Sequence, residues 1–170
     1  MAANCKDKGP PPPSPVVVAF YSVRIASTST GAPSASALRQ FAPFLSDTLA
    51  SLLRAAAVVR DRESTRAPDE KPPFVEGDLF SSLFEGPTSF VVVRDTVAMR
   101  QRKYVVRFTN VSNGESYSWT DTVLMGKRGR KDVIDDVLYG GAGDFGNHGT
   151  LRTSLESALK PTLTPASAPK

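Results

Sequence analysis

Apolar and polar residues alternate most regularly between Arg100 and Met125, RQRKYVVRFTNVSNGESYSWTDTVLM, and the alternation is interrupted at Asn113-Gly114. Asparagine followed by glycine tolerates two successive positive φ angles, as a type I′ turn requires, so the stretch predicts a β-hairpin with a two-residue loop. That loop sets the register. Phe108 faces Trp119, Val106 faces Asp121, Tyr104 faces Val123 and Arg102 faces Met125, which makes one face apolar and aromatic. The other face pairs Arg107 with Thr120, Val105 with Thr122 and Lys103 with Leu124, and it is expected to look outward. Asp121 is the misfit on the inner face, where an unpaired carboxylate is costly, and Arg102 on the same face is its expected partner.

The same patterns order the rest of the chain. Val16–Ser27 (VVVAFYSVRIAS) is dense in β-branched and aromatic residues and reads as a strand. After a Ser/Thr/Gly/Pro loop, Ser34 or Ser36 caps a long helix. Its apolar face is Leu38, Phe41, Leu45, Leu49, Leu52, Leu53 and Ala56, at three- and four-residue spacing through Arg60. Pro43 marks either a junction between two helical pieces or a first helical turn. Asp61–Pro73 is polar and proline-rich, hence a loop. Phe74–Phe84 gathers Phe74, Leu79, Phe80, Leu83 and Phe84, which are either buried or form a docking patch. Thr88–Met99 is a strand with a bulge at Arg94-Asp95, so residues 88 to 125 form a meander. Beyond it lie the basic turn Gly126–Lys131, a short helix capped by Asp132, the glycine-rich Gly140–Gly149 loop and a short amphipathic helix, Leu151–Lys160. The expected fold class is α+β: an antiparallel sheet or small barrel with one long packed helix and two short C-terminal helices. The expected organisation is a proline-rich arm (1–15), one domain (16–160) and a tail (161–170).

Composition narrows this picture only slightly. With 40% hydrophobic residues in 170, the chain has enough apolar material for a core. A net charge of +4 and a pI near 9.4 permit an anionic partner without requiring one. Cys5 is the single cysteine, so no intramolecular disulfide or thiolate metal cluster can form, and a reducing compartment is expected. The run Val16–Tyr21 is too short for a secretory leader, and no apolar run is long enough to span a bilayer. The expected home is therefore intracellular, cytoplasmic or nuclear, with no membrane partner. The Ser/Ala/Pro-rich, acid-poor head also fits an organelle transit peptide.

Candidate chemistry centres on charge. Arg100, Arg102, Lys103 and Arg107 join Lys127, Arg128, Arg130 and Lys131 at the end of the paired strand, a grouping suited to neutralising nucleic-acid phosphates. Solvated edge protection or a nuclear-import address would use the same residues. His148, the single histidine, stands in the glycine-rich loop without a nucleophile motif nearby, and Asp144-Phe145-Gly146 lacks the companions of a kinase metal triplet. Asp121, Asp132, Asp135 and Asp136 are the carboxylates that could gather at a cation, although capping and charge balance explain the last three. No enzyme activity, metal or cofactor is expected.

The order of a basic strand (RQRKYVVRF), a turn, a strand carrying WTDTV and a helix is similar to the sheet-then-helix half of small RNA-phage coat proteins, which implies a virion-type structural role. The leading expectation is a non-catalytic nucleic-acid-binding protein. The alternative is a self-assembling or protein-interaction module, with a protein partner or second copy held by sheet edges and the apolar patch.

Overall fold

The structure, a computed structural model, describes residues 14–27, 29–98, 101–141 and 146–160. Arg100, Cys5, the proline arm, the 161–170 tail and Asp144-Phe145 lie outside them.

Ser14 accepts the amide of Val17 and Pro15 occupies the first turn, so the segment read as a strand is instead helix α1 (Pro15–Ala26). Val17, Phe20 and Tyr21 recur at helical spacing and are fully buried. A second capped helix, α2 (Ala35–Phe41), begins at Ser34, whose hydroxyl accepts the Ala37 amide. Pro43 ends it in a single 3₁₀ turn, Ala42–Phe44, and the chain restarts at Ser46 as α3 (Asp47–Arg66). Two helical pieces therefore meet at the proline. α3 runs past Arg60 into the segment expected to be a loop, where Arg62 and Arg66 both pair with Glu63. Those guanidinium groups, the Arg66 hydrogen bond foremost, hold the Glu63 carboxyl below its ordinary range.

Four strands follow: β1 (Ser89–Ala98), β2 (Gln101–Ser112), β3 (Glu115–Arg128) and β4 (Lys131–Leu138), antiparallel in the order β1-β2-β3-β4. Asn113 and Gly114 adopt φ values of 52° and 81°, and the β2–β3 register pairs Phe108 with Trp119, Val106 with Asp121 and Lys103 with Leu124, as their alternation requires. The sheet is open, not a barrel. β4 replaces the expected short helix: the register shifts between Leu124 and Met125 opposite Asp135, so one extra residue resets the strand's phase. Among the described residues, only α4 (Leu151–Leu159) follows it, capped by a Thr150/Thr153 box.

The helices cover one sheet face. Phe20 meets Tyr21, Phe41 and Phe80 edge-on at centroid distances of 5.0, 5.8 and 5.1 Å, and Tyr21 meets Phe108 at 4.8 Å. Such pairs add about 0.5–1.5 kcal/mol each beyond area burial. Leu45 bridges to Ile134 and the Ser46 amide bonds the Ile134 carbonyl, so the β4 edge is partly covered. β1 forms the other edge, where Val91 and Val93 are exposed.

Candidate functional site

Between α3 and β1 the chain forms irregular turns that pass beneath the helices. This is the segment expected to be a docking patch, and its side chains are largely in the core: Phe80 is buried, while Phe74, Leu79 and Leu83 pack against the same cluster. Phe84 is partly exposed, and its ring covers Gly77, where an added Cβ would lie 2.5 Å away.

Two buried carboxylates hold this segment. Asp78 accepts from Arg24 Nη2 at 2.9 Å, from the Phe80 amide at 3.0 Å and from Ser81 Oγ at 2.7 Å. Asp121, misfit of the hairpin, pairs with none of the arginines. It accepts the Ser82 amide at 2.8 Å, the Ser82 hydroxyl, Trp119 Nε1 at 3.2 Å and the Gly140 amide at 2.8 Å. Burial pushes its carboxyl above the ordinary range, opposed by those donors, Ser82 first. Asn147 ties the far loop to the same segment by donating to the carbonyls of Asp78 and Ser81. The hydroxyls of Tyr21 and Tyr139 donate to Phe80 and Leu79 carbonyls, and burial raises both phenols well above their usual value. The seam joins α1, the 78–84 segment, β3 and the residues Gly140, Gly141 and Asn147. Every carboxylate in it is occupied by structural donors.

The structure disperses the predicted cationic cluster. Arg102 lies on the inner-face side, 4.0 Å from Asp95 and in contact with the Tyr104 hydroxyl; Tyr104, then Asp95, raises its pKa. The expected Arg102–Asp121 pair does not form. Lys127 pairs with Asp132 at 2.7 Å. Arg128 donates to the carbonyls of Ala42 and Pro43, closing the 3₁₀ turn. Arg130 and Lys131 are exposed at the β3–β4 turn. Lys103 and Arg107 do occupy the outward face, as expected, where they join Arg94, a residue that sequence reasoning did not select. The register shift in β1 falls at Val93, between Val92 and Arg94, and thereby points Arg94 outward opposite Val105. Placing the bulge one residue earlier in the sequence reading would have identified it.

The remaining candidates are also scattered. His148 is exposed on its loop. Asp135 pairs with Arg152 at 3.0 Å, and Asp136 accepts the Arg152 amide at the start of α4. Among the described residues no three His, Cys, Asp or Glu side chains converge on a metal position. No helix among the described residues is long and apolar enough to cross a membrane.

No family model and no solved structure matches the chain. The chain is similar to a protein of Escherichia coli (strain K12) named uncharacterized lipoprotein YbjP, with 34% identity over 146 residues, covering 85% of this chain and 76% of the relative. That finding overturns the expected nucleic-acid-binding role and the intracellular, cytoplasmic or nuclear home, and it lends no support to the virion-type or scaffold alternative. The phage-coat likeness also fails structurally, because the element after the hairpin is a strand, not a helix.

Proposed function

The chain belongs to the family of the lipoprotein YbjP, and from that premise we propose that it is the folded, non-catalytic domain of a lipid-anchored, extracytoplasmic protein. The observation that carries this reading is the 34% identity maintained over 146 residues. Cys5 is the single thiol in the sequence and the side chain through which a lipid would be attached. The proline run Pro10–Pro13 then separates the anchor from α1.

The non-catalytic part of the reading is supported by how the polar groups are used. Asp78 and Asp121 serve the fold, Asp132 and Asp135 are paired with cations, and His148 is exposed on its loop. Fractionation of cells that make the protein tests the anchor. The protein is expected in the membrane fraction and in the detergent phase on temperature-induced separation, and Cys5→Ser is expected to move it to the aqueous phase. Wild-type protein found wholly in the aqueous phase would refute the proposal.

A further inference from the structure

We infer that the outward face of β1–β3 lies against the anionic headgroups of a lipid bilayer, an inference that rests on the membrane-anchored reading above. Residues at outward positions follow from the register: Arg94 faces Val105, Thr96 faces Lys103 and Val91 faces Arg107. Arg94 is therefore diagonal to both Lys103 and Arg107, and diagonal neighbours in a sheet lie roughly 7–8 Å apart at their backbones. These like charges repel across that distance. The surrounding outward positions on β1–β3 are valine, threonine, serine, leucine, alanine and glutamine, with no carboxylate.

The grouping of three cations on one sheet face is the central observation. Arg24, Arg60, Arg66 and Arg152 have acidic partners in Asp78, Asp61, Glu63 and Asp135, whereas Arg39, Arg54 and Arg130 stand exposed without one among the described residues, singly and not as a cluster on the outward sheet face. Arg94, Lys103 and Arg107 have no carboxylate within ion-pair distance among the described residues. The face is thus open to an anionic surface outside the chain.

Two features select a bilayer as that surface. A sheet surface presents its cations as a plane, whereas enclosing a small anion takes a cleft with converging donors. Aliphatic side chains are interleaved with the cations: Val91 is 64% and Val111 55% exposed on this face, and Val93 46% at the bulge. That mixture suits the boundary between headgroups and acyl chains, where arginine and lysine stems lie along apolar surface while their heads contact phosphate. The anchor can engage the same bilayer. Nine residue steps separate Cys5 from Ser14 (14 minus 5), a reach of up to about 30 Å when extended, against roughly 10 Å between packed layers of secondary structure.

The test is co-sedimentation of the purified full chain with vesicles of phosphatidylcholine alone and of phosphatidylcholine containing about one third phosphatidylglycerol. Binding is expected to the acidic vesicles alone and to weaken as salt rises. Replacing the three cations together (R94Q, K103Q and R107Q) is expected to lower that affinity on the order of a hundredfold, at roughly fivefold per cation. A charge-matched control on the helical side, R39Q, R54Q and R62Q, is expected to lose less than about threefold. All six positions are exposed or partly exposed, so near-wild-type melting is expected of both variants. Equal losses in the two variants, or a folded wild-type chain that ignores acidic vesicles, would overturn the inference. Cell fractionation separates the two ideas: a chain that ignores acidic vesicles yet remains in the membrane fraction through Cys5 removes this surface and leaves the anchor standing.

Discussion

Asp121 shows how one side chain can be recognisable as anomalous in a sequence while its explanation remains hidden. Period-two alternation places it inside, and there it is found, 1% exposed. Its partners, however, come from Ser82, 39 positions upstream, and from the Gly140 amide, and neither a serine nor a glycine advertises such a role. Removing the carboxylate leaves buried donors on Ser82, Trp119 and Gly140 without acceptors, each costing about 1–3 kcal/mol. Asp121→Ala is therefore expected to lower unfolding free energy by at least about 3 kcal/mol, measured by urea titration, whereas Thr120→Ala on the outward face should change it by less than about 0.5 kcal/mol. The two buried phenols produce a pH effect of definite sign. Below about pH 10 both are protonated in the folded and unfolded chain alike. Above it the unfolded chain ionises first, because burial holds the folded values higher, so stability falls with rising pH by up to about 1.4 kcal/mol per pH unit for each tyrosine. Tyr21→Phe and Tyr139→Phe should each flatten alkaline unfolding curves, and a variant pair with unchanged slope would show that neither phenol governs it.

At the level of elements, legibility depended on whether a pattern has one physical reading. Asn113-Gly114 flanked by alternating residues has one, and the hairpin register follows it pair by pair. The stripe from Leu38 to Ala56 likewise gives α2 and α3, with Pro43 at the break. The run Val16–Tyr21 has two readings, because a short continuous apolar segment suits a buried strand and a buried helix equally; Ser14-Pro15 at its start decides for the helix. β4 misleads for a different reason. Val133, Ile134, Val137 and Leu138 have helical spacing because the extra residue at Asp135 shifts a strand's alternation by one. Two glycines separate turn chemistry from close packing. Gly114 and Gly31 both have positive φ, but an added Cβ meets nothing at Gly114, whereas at Gly31 it would lie 2.1 Å from the Phe74 carbonyl oxygen. Gly114→Ala is expected to cost about 1–2 kcal/mol from backbone strain alone. Gly31→Ala should cost well over that, and thermal melting of the two variants compares them directly.

For the whole molecule, an antiparallel sheet with a long helical stretch packed on it was legible in the sequence, whereas α1, β4 and the site were not. The eight basic residues chosen for their closeness in sequence include some consumed by intramolecular pairs, and the sheet's own geometry regroups Lys103 and Arg107 with Arg94 instead. The molecule also depends on its first helix more than a strand at an edge would require. α1 supplies Val17, Phe20 and Tyr21 to the centre of the aromatic cluster and Arg24 to Asp78. A chain starting at Thr28 is accordingly expected to lose cooperative melting and near-ultraviolet circular dichroism. Retention of a sharp transition would mean that the remaining layers are self-sufficient. The same seam gives the protein an intrinsic reporter. Its single indole, on Trp119, is 5% exposed and places its nitrogen on the carboxylate where distant parts of the chain are joined. Emission should be blue while that junction is sealed and move to the red when water enters, so tryptophan fluorescence follows the opening of one particular interior joint without any label.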